Sequence, residues 1–436
     1  MKSLSIEEFD TDVLVIGAGA GGMMAAISAA DEGAAVILCE KGNARRSGGI
    51  FAGNDHFFCF IPEIHGADAR ENFVNSIMSG GMIDADIACR YVDKARDVLG
   101  KWEEWGINLK TNGHYEFTGH GWPGSSGKMG EPGKTDRGHI HFSDPEICPK
   151  LEQQVRKRGV RIINRVMMTE LLKDHDGGII GAMGVSTREP TLFVIHAKSV
   201  ILNSGAVNGT RLYPSPYVKG YSMAEPGTGD GEVMAYRAGA DIQNAEMCYL
   251  QTGLRFGPWA GRGTWVGILR DAEGKPVGPP YLSAPDPEIG DMSVESPDAI
   301  DHALATGRGP VWMDPRGISL EDEKYMRWGF ESEAMHAFVN WVDSEKIDFK
   351  STRFEFTVFQ PRPNICIRVK ADFQTSLDGL YAIMRRGLPK SAVGGLVSGK
   401  AAAKYSRDIE PADNEDSQDL IQEAKRSYEA ILNREG

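Results

Sequence analysis

Apolar positions gather first in short runs and later at helical spacing. Asp12–Ile16 is a β-rich run, Gly17–Gly22 a turn, Met23–Asp31 a helix of small residues, and Ala35–Cys39 a second strand. A β–turn–α–β unit of this kind pairs its strands in parallel, because only a crossover brings the chain back in the same direction. Asp84–Trp105 spaces Ile87, Tyr91, Val92, Ala95, Val98, Leu99 and Trp102 along one helical face. His114–Arg137 is a Gly-rich loop longer than a connector needs. Pro145–Arg158 then reads as a helix and Val160–Val166 as a strand. Glu170–Leu202 reads as a small antiparallel meander with runs at Gly178–Ser186 and Thr191–His196, closing on a strand at Ser199–Leu202. Gly229–Gly239 is a helix. Residues 250–350 are rich in Pro, Gly, Trp and Arg with weak periodicity, which fits an inserted cap. Strand character returns over Arg353–Tyr381. Gly394–Tyr405 is Gly-rich and then helical, and the charged tail from Glu410 ends in a surface helix.

Length and charge narrow the classes. A chain of 436 residues holds two or three structural units. Its 61 acids outnumber its 48 bases, for a net charge of −13, which repels phosphate backbones and argues against a nucleic-acid partner. None of the six cysteines forms CxxC, so metal and iron–sulfur spacings are absent and free thiols in a reducing compartment are expected. The start, MKSLSIEEFD, is acidic and lacks an apolar signal core. The apolar stretch Val13–Ala30 carries four glycines, as strand–turn–helix does and a membrane span does not. A cytoplasmic protein with no membrane span is the expectation.

Chemistry enters at the first turn. Gly17, Gly19 and Gly22 form G-x-G-x-x-G directly after a strand and before a helix. The first glycine permits the tight turn, the second lets backbone approach a pyrophosphate, and the third lets helix and strand pack closely. The helix start offers free N–H groups and the positive end of its dipole. Glu40 ends the second strand at the distance expected of an acid that binds a ribose 2′-hydroxyl. The motif by itself does not separate NAD from FAD.

The segments that follow carry a resemblance. Glu40-Lys41, then Arg46-Ser47-Gly48-Gly49, resembles the post-strand loop of the fumarate reductase/succinate dehydrogenase flavoprotein family, which runs along the flavin. Thr135-Asp-Arg137-Gly-His139, Asn203-Ser204-Gly205-Ala206, Thr228-Gly229-Asp230-Gly231, Gly309-Pro-Val-Trp-Met-Asp314 and Thr375-Ser-Leu-Asp-Gly379-Leu-Tyr-Ala are similar to further segments of that family, in the same order. The likeness covers residues 10–405. Arg46-Ser-Gly-Gly and Arg255-Phe-Gly-Pro lean toward the adenylylsulfate reductase α-subunit branch. It implies an α/β fold: a Rossmann-type FAD-binding domain, with a parallel sheet and a small antiparallel meander, holding an inserted α+β cap. The domain is expected over 1–250 and again over 351–436, with the cap at 251–350. The implied cofactor residues are Gly17, Gly19, Gly22, Glu40, Lys41, Arg46, Ser47, Gly48, Gly49, Val166, Ser204, Gly205, Asp230, Gly395, Val397 and Ser398, and no metal is implied.

The chain also departs from that family. Where quinone-linked members carry a flavin-tethering His after Arg-Ser, this chain has Gly48, so FAD is expected to be non-covalent. Tyr249-Leu-Gln251-Thr252-Gly253 replaces the His-Pro-Thr of the cap, and Ile383-Met-Arg385-Arg386 replaces the Gly-Asp or Gly-Glu that binds ribitol. The proton-donating cap arginine has no counterpart; the aligned stretch offers His302. The family's C-terminal helical domain is not found either. An anionic substrate calls for arginine clamps, for which Arg255 stands first and Arg316 second, ahead of Arg262, Arg270 and Arg308. Proton transfer suits His139 or His302, with His141 and His336 behind them. Trp259 and Trp265 are candidates for stacking. Gly394–Gly399, read as a helix opening, is placed to support the reduced flavin through its dipole. The expected function is FAD-dependent oxidoreduction of a small anionic substrate, with electrons relayed through a separate iron–sulfur subunit or carrier in an oligomer. A flavin-bearing electron-transfer subunit without its own substrate, and an NAD-dependent dehydrogenase, are the alternatives.

Overall fold

The computed structural model describes residues 3–50, 54–78, 83–118, 138–205, 227–258, 268–277, 297–320, 323–324, 326–327, 330, 336–383, 387–412 and 417–434. The chain opens with β1 (Ser5–Ile16), α1 (Ala20–Asp31) and β2 (Val36–Glu40). The last four residues of β1 are 0–4% exposed, as a strand covered on both faces must be. β1 begins seven residues before the apolar run. Its acidic first half, half-exposed, pairs in parallel with residues 191–197, so hydrogen bonding rather than burial extends it.

β3 (Asn54–Phe58), α2 (Pro62–His65), α3 (Arg70–Met78), α4 (Ala85–Glu104), β4 (Glu116–Thr118) and β5 (His139–Ser143) follow. α4 matches the apolar stripe read in the sequence, and Trp102 at its end is fully buried against Phe57 and Met24. Next come α5 (Ile147–Lys157), β6 (Arg161–Asn164), β7 (Val166–Lys173), β8 (Ile179–Ser186) and β9 (Thr191–Leu202). The single strand expected over 160–166 is two, because Arg165 takes a positive φ of 66° and turns the chain between them. Conversely, the two runs at 191–202 are one strand. β8 pairs with its first half, β1 lies along it throughout, and its end is shared with a later strand.

α6 (Asp230–Ala238), β10 (Ile242–Gln243), β11 (Cys248–Leu254), β12 (Leu269–Arg270), α7 (Pro297–Ala305), β13 (Val311–Met313), α8 (His336–Ser344), β14 (Phe354–Pro363), β15 (Cys366–Ile367), β16 (Leu380–Ala382), α9 (Leu388–Asp408) and α10 (Gln418–Leu432) complete the order. The main sheet runs β6-β2-β1-β9-β8-β7, with β16 beside the end of β9. β6, β2, β1, β9 and β16 are parallel; β7, β8 and the start of β9 form the antiparallel meander. β11-β14-β13-β12 is a separate antiparallel sheet with its own core, built on Leu254, Phe330, Phe338, Phe354 and Phe356. Its strands reach from Cys248 to Pro363, beyond both ends of the 251–350 interval. The fold is thus mixed α/β: a Rossmann-type sheet with helices, and a cap.

α9 opens at Leu388, six residues ahead of Gly394, so the glycines sit inside it and not at its start. They serve helix contact. A Cβ on Gly395 would lie 2.1 Å from the Gly21 carbonyl oxygen, and one on Gly399 2.4 Å from that of Ala25. Backbones this close exclude any side chain, and they pin α9 to α1.

Candidate functional site

β1 lies between β2 and β9, and the chain crosses to opposite sides of it on leaving and returning. In such sheets ligands bind outside the carboxyl ends of the strands at this reversal. Gly17 stands there with φ of 100°, and a Cβ on it would meet the Asn203 carbonyl oxygen at 2.3 Å. A Cβ on Gly22 would meet the Gly17 carbonyl at 1.8 Å. Gly19 is less crowded: a Cβ there would meet the Asn203 Nδ2 at 3.5 Å and the Gly48 Cα at 3.6 Å, both ordinary contact distances. Gly19 also caps α1 without a side-chain hydrogen bond, and no acid occupies the first turn. The helix start therefore keeps donors and dipole available to an anion.

Glu40 closes the other wall. It is 7% exposed and accepts from the Ala18 amide at 2.7 Å and the Gly42 amide at 2.6 Å. A carboxylate so held is fixed at the mouth between β1 and β2. Lys41 extends outward, donating to Thr228 at 2.8 Å and pairing with Asp230 at 2.6 Å, so the two sequence-distant candidates are joined. Gly48 takes φ of 77°, and a Cβ there would lie 2.8 Å from the Gly19 Cα. The Arg46–Gly49 loop thus folds back onto the glycine turn. Behind it the Cys148 thiol contacts the Ser47 carbonyl, and burial pushes that thiol up to about 11. Ser204 accepts from the Gly231 amide at 3.1 Å, which ties the end of β9 to the start of α6. Gly205 follows with a positive φ. An uncapped helix start with a buried acid beside it is the cradle a dinucleotide needs, and these residues fit FAD.

Val166 begins β7 and is buried. Val397 and Ser398 lie within the body of α9, Ser398 fully buried. The sequence reading missed Asn203. Its side-chain amide lies against the positions of Gly19, Gly21 and Gly22, and its backbone N–H donates to the Ile16 carbonyl at 2.8 Å. The signal was present, since a polar residue directly follows the apolar strand end Val200–Leu202 and precedes Ser204 and Gly205. A narrow cleft beside it is lined by Leu202, Asn203, Ser204, Glu232, Cys366 and Ile383.

The described catalytic candidates stand on different elements. Arg255 pairs with Glu355 at 2.6 Å, at the end of the cap sheet away from Pro363. From Glu355 to Pro363 the strand covers roughly 25 Å at about 3.3 Å per residue. Arg316 is exposed and bidentate to Asp314, whose carboxyl it holds below the usual range. Arg308 is likewise committed to Asp271 at 2.6 Å. Each of these guanidiniums thus has a neighbouring carboxylate as its partner. His302 is exposed on α7, and His336 is exposed on α8. His139 is half-buried on β5, its ring 4.8 Å from Phe58, with His56 and His141 on the same small sheet. Trp259, Trp265, Arg262, Arg385, Arg386 and the Thr135–Arg137 segment lie outside the described residues. Among the described residues no His/Cys/Asp/Glu group suits a metal ion, and no helix is long and apolar enough to cross a membrane.

The fold and the glycine–acid cradle define an FAD-binding flavoprotein. The chain belongs to the FAD binding domain family (FAD_binding_2), whose model matches residues 12–356. It is 32% identical over 289 residues to one of the subunits of the fumarate reductase (CoM/CoB) of Methanothermobacter marburgensis, covering 62% of this chain and 48% of that protein. It is 28% identical over 282 residues to urocanate reductase of Eggerthella lenta, covering 60% and 43%. The chain thus spans about half the length of the curated relatives it matches. Among solved structures, Escherichia coli quinol fumarate reductase aligns with a TM-score of 0.76 at 20% identity, over 99% of this chain and 76% of that one. An adenosine-5-phosphosulfate reductase in complex with sulfite aligns with 0.72 at 21%, over 97% and 74%. At these identities the structural likeness speaks for the fold.

Proposed function

We propose that the chain is an FAD-dependent oxidoreductase that exchanges a hydride or electron pair with a small anionic substrate, its electrons relayed through a separate iron–sulfur subunit or carrier. One observation carries the flavin part: the start of α1 at Gly19, with no side-chain cap and no acid in its first turn, beside the fixed Glu40 carboxylate. In this reading the α1 amides hold the pyrophosphate, Glu40 binds the ribose, and the Arg46–Gly49 loop lies along the ring system. Bound FAD supplies two-electron redox chemistry at its flavin ring. Gly48, having no side chain, leaves the cofactor untethered. The names of the relatives support an anionic substrate, since fumarate and urocanate are both carboxylates.

The test is a visible spectrum of the purified protein followed by acid precipitation. A flavin spectrum with the colour in the supernatant is expected, whereas a colourless protein that cannot be loaded with FAD refutes the reading. A second reading, an electron-transfer subunit without its own substrate, is favoured by one observation: Arg255, Arg308 and Arg316 are each paired with a carboxylate. Rapid-mixing reduction or reoxidation of the flavin by unsaturated carboxylates, with no partner present, separates the two.

A further inference from the structure

We infer that the face made by α5, β6 and the Lys41–Arg46 loop is the docking surface for a small acidic iron–sulfur carrier protein; the inference rests on the redox reading above. Acids dominate the chain, 61 to 48, yet residues 41–54 and 153–169 are among the stretches that contain none. Residues 41–54 hold Lys41, Arg45 and Arg46, and residues 153–169 hold Arg156, Lys157, Arg158, Arg161 and Arg165. The fold brings the two stretches together. Arg165 donates its amide to the Gly42 carbonyl at 3.1 Å, the Ala44 amide donates to Asn164 at 2.8 Å, and Arg45 and Arg156 both reach Glu152.

The charge on this face is not balanced locally. Glu152 serves Arg45 and Arg156, Asp31 serves Arg158, and Asp230 serves Lys41. Arg46, Lys157, Arg161 and Arg165 are exposed and have no carboxylate within ion-pair reach among the described residues. Arg161 is held extended over the Phe9 ring, 4.0 Å from its centroid. The surface is also preformed: α5 is anchored by Ile147, Leu151 and Val155, and β6 is hydrogen-bonded to β2. A partner would not have to order it, so little of the attraction is lost on binding. Guarding a sheet edge against mispairing takes a charge or two on the strand itself. Here most of the bases lie off the strand, on the helix end and on the loop. That loop starts at the ribose-side acid Glu40 and ends at Gly48 against Gly19, so a protein docked on it stands beside the cofactor cradle. A basic patch on an acidic molecule selects and orients an acidic partner, and its pull weakens as salt screens it.

The test uses the FAD-loaded full chain and, as probe, an immobilised acidic ferredoxin carrying two [4Fe–4S] clusters, with affinity measured from about 20 to about 300 mM NaCl. Three proteins are compared: wild type, K157E/R161E/R165E, and the control K346E/K404E/R426E, which changes the net charge equally at exposed sites elsewhere. K157Q/R161Q/R165Q is the milder substitute, and each variant is checked for FAD content and melting temperature. We expect salt-sensitive binding by wild type, a Kd at least tenfold weaker in the α5/β6 reversal variant, a smaller loss in the glutamine variant, and less than a twofold change in the control. No ferredoxin binding at low salt, or equal losses in the two reversal variants, overturns the inference. So does a DNA duplex bound more tightly than ferredoxin, which would assign the face to nucleic acid. A protein that binds no FAD fails the redox reading instead, and the ferredoxin affinity still reports on the surface.

Discussion

Gly48 offers the sharpest test of how this chain holds its cofactor. Its φ of 77° lies in the left-handed region, where a residue with a Cβ costs about 1 kcal/mol or more relative to glycine. A Cβ there would also sit 2.8 Å from the Gly19 Cα, which is backbone and cannot swing aside. Relief must come from moving the Arg46–Gly49 loop or the glycine turn, and displacing packed backbone adds about 1–3 kcal/mol. Part of that total falls on folding and part on the phosphate cradle. If half falls on binding, Gly48→Ala weakens FAD by roughly tenfold, since about 1.4 kcal/mol is a factor of ten. Gly48→His is the more telling variant, because it restores the residue type by which the quinone-linked flavoproteins tether flavin. It is expected to carry no covalent flavin after acid precipitation, and to bind FAD at least as weakly as the alanine variant. The assay is flavin fluorescence titration of the apoprotein with a parallel denaturing gel. A fluorescent protein band, or a Kd equal to that of wild type in both variants, refutes the account of Gly48 as a contact that admits no side chain.

Other perturbations have equally definite outcomes. Glu40→Ala removes the acceptor of two short backbone hydrogen bonds; a loss of about 1.5–3 kcal/mol is expected, read as a lower melting temperature and weaker FAD binding. Gly395→Val places a branched side chain on the Gly21 carbonyl and is expected to destabilise by at least about 1–3 kcal/mol, with little of the apoprotein recovered folded. Arg255→Ala is expected to leave kcat/KM within twofold, because its guanidinium is already paired with Glu355; a large loss would restore it as a substrate clamp. Burial, aided by Glu40, raises the Cys39 thiol to about 12, and burial raises Cys148 to about 11, from an ordinary 9.0. Both thiols stay protonated in the folded state while the unfolded chain ionises, so stability is level below pH 9.0 and falls above it. The slope is about 1.4 kcal/mol per pH unit per thiol, and Cys39→Ala should flatten the alkaline decline in melting temperature.

Much of the frame is written locally in the chain. Four residues of uninterrupted apolar strand, a glycine turn and a run of small residues leave little choice but β1–α1–β2, and the stripe from Ile87 to Trp102 specifies α4 within a residue at each end. The glycine spacing and Glu40 likewise announce a dinucleotide cradle, because each residue there answers a requirement of its own backbone or of the phosphate beside it. What the sequence could not supply was partnership across distance. The acidic residues 5–11 become strand only because β9 offers them hydrogen bonds. The glycines of α9 look like a turn and are a helix, because the Gly21 and Ala25 carbonyls press against them.

The cap arginines show the same limit from the other side. A guanidinium near a tight turn has the right chemistry for a carboxylate substrate, but whether it is available depends on which acid the fold sets beside it. For Arg255, Arg308 and Arg316 that acid is already present, two to a hundred residues away. The basic face on α5 and β6 was invisible for the converse reason: two separate acid-free stretches mean little until Arg165 and Gly42 are hydrogen-bonded neighbours. Backbone conformation and burial answer to the nearest few residues, and the sequence determined them. Charge balance and close approach are sums over space, and only the tertiary structure decided those.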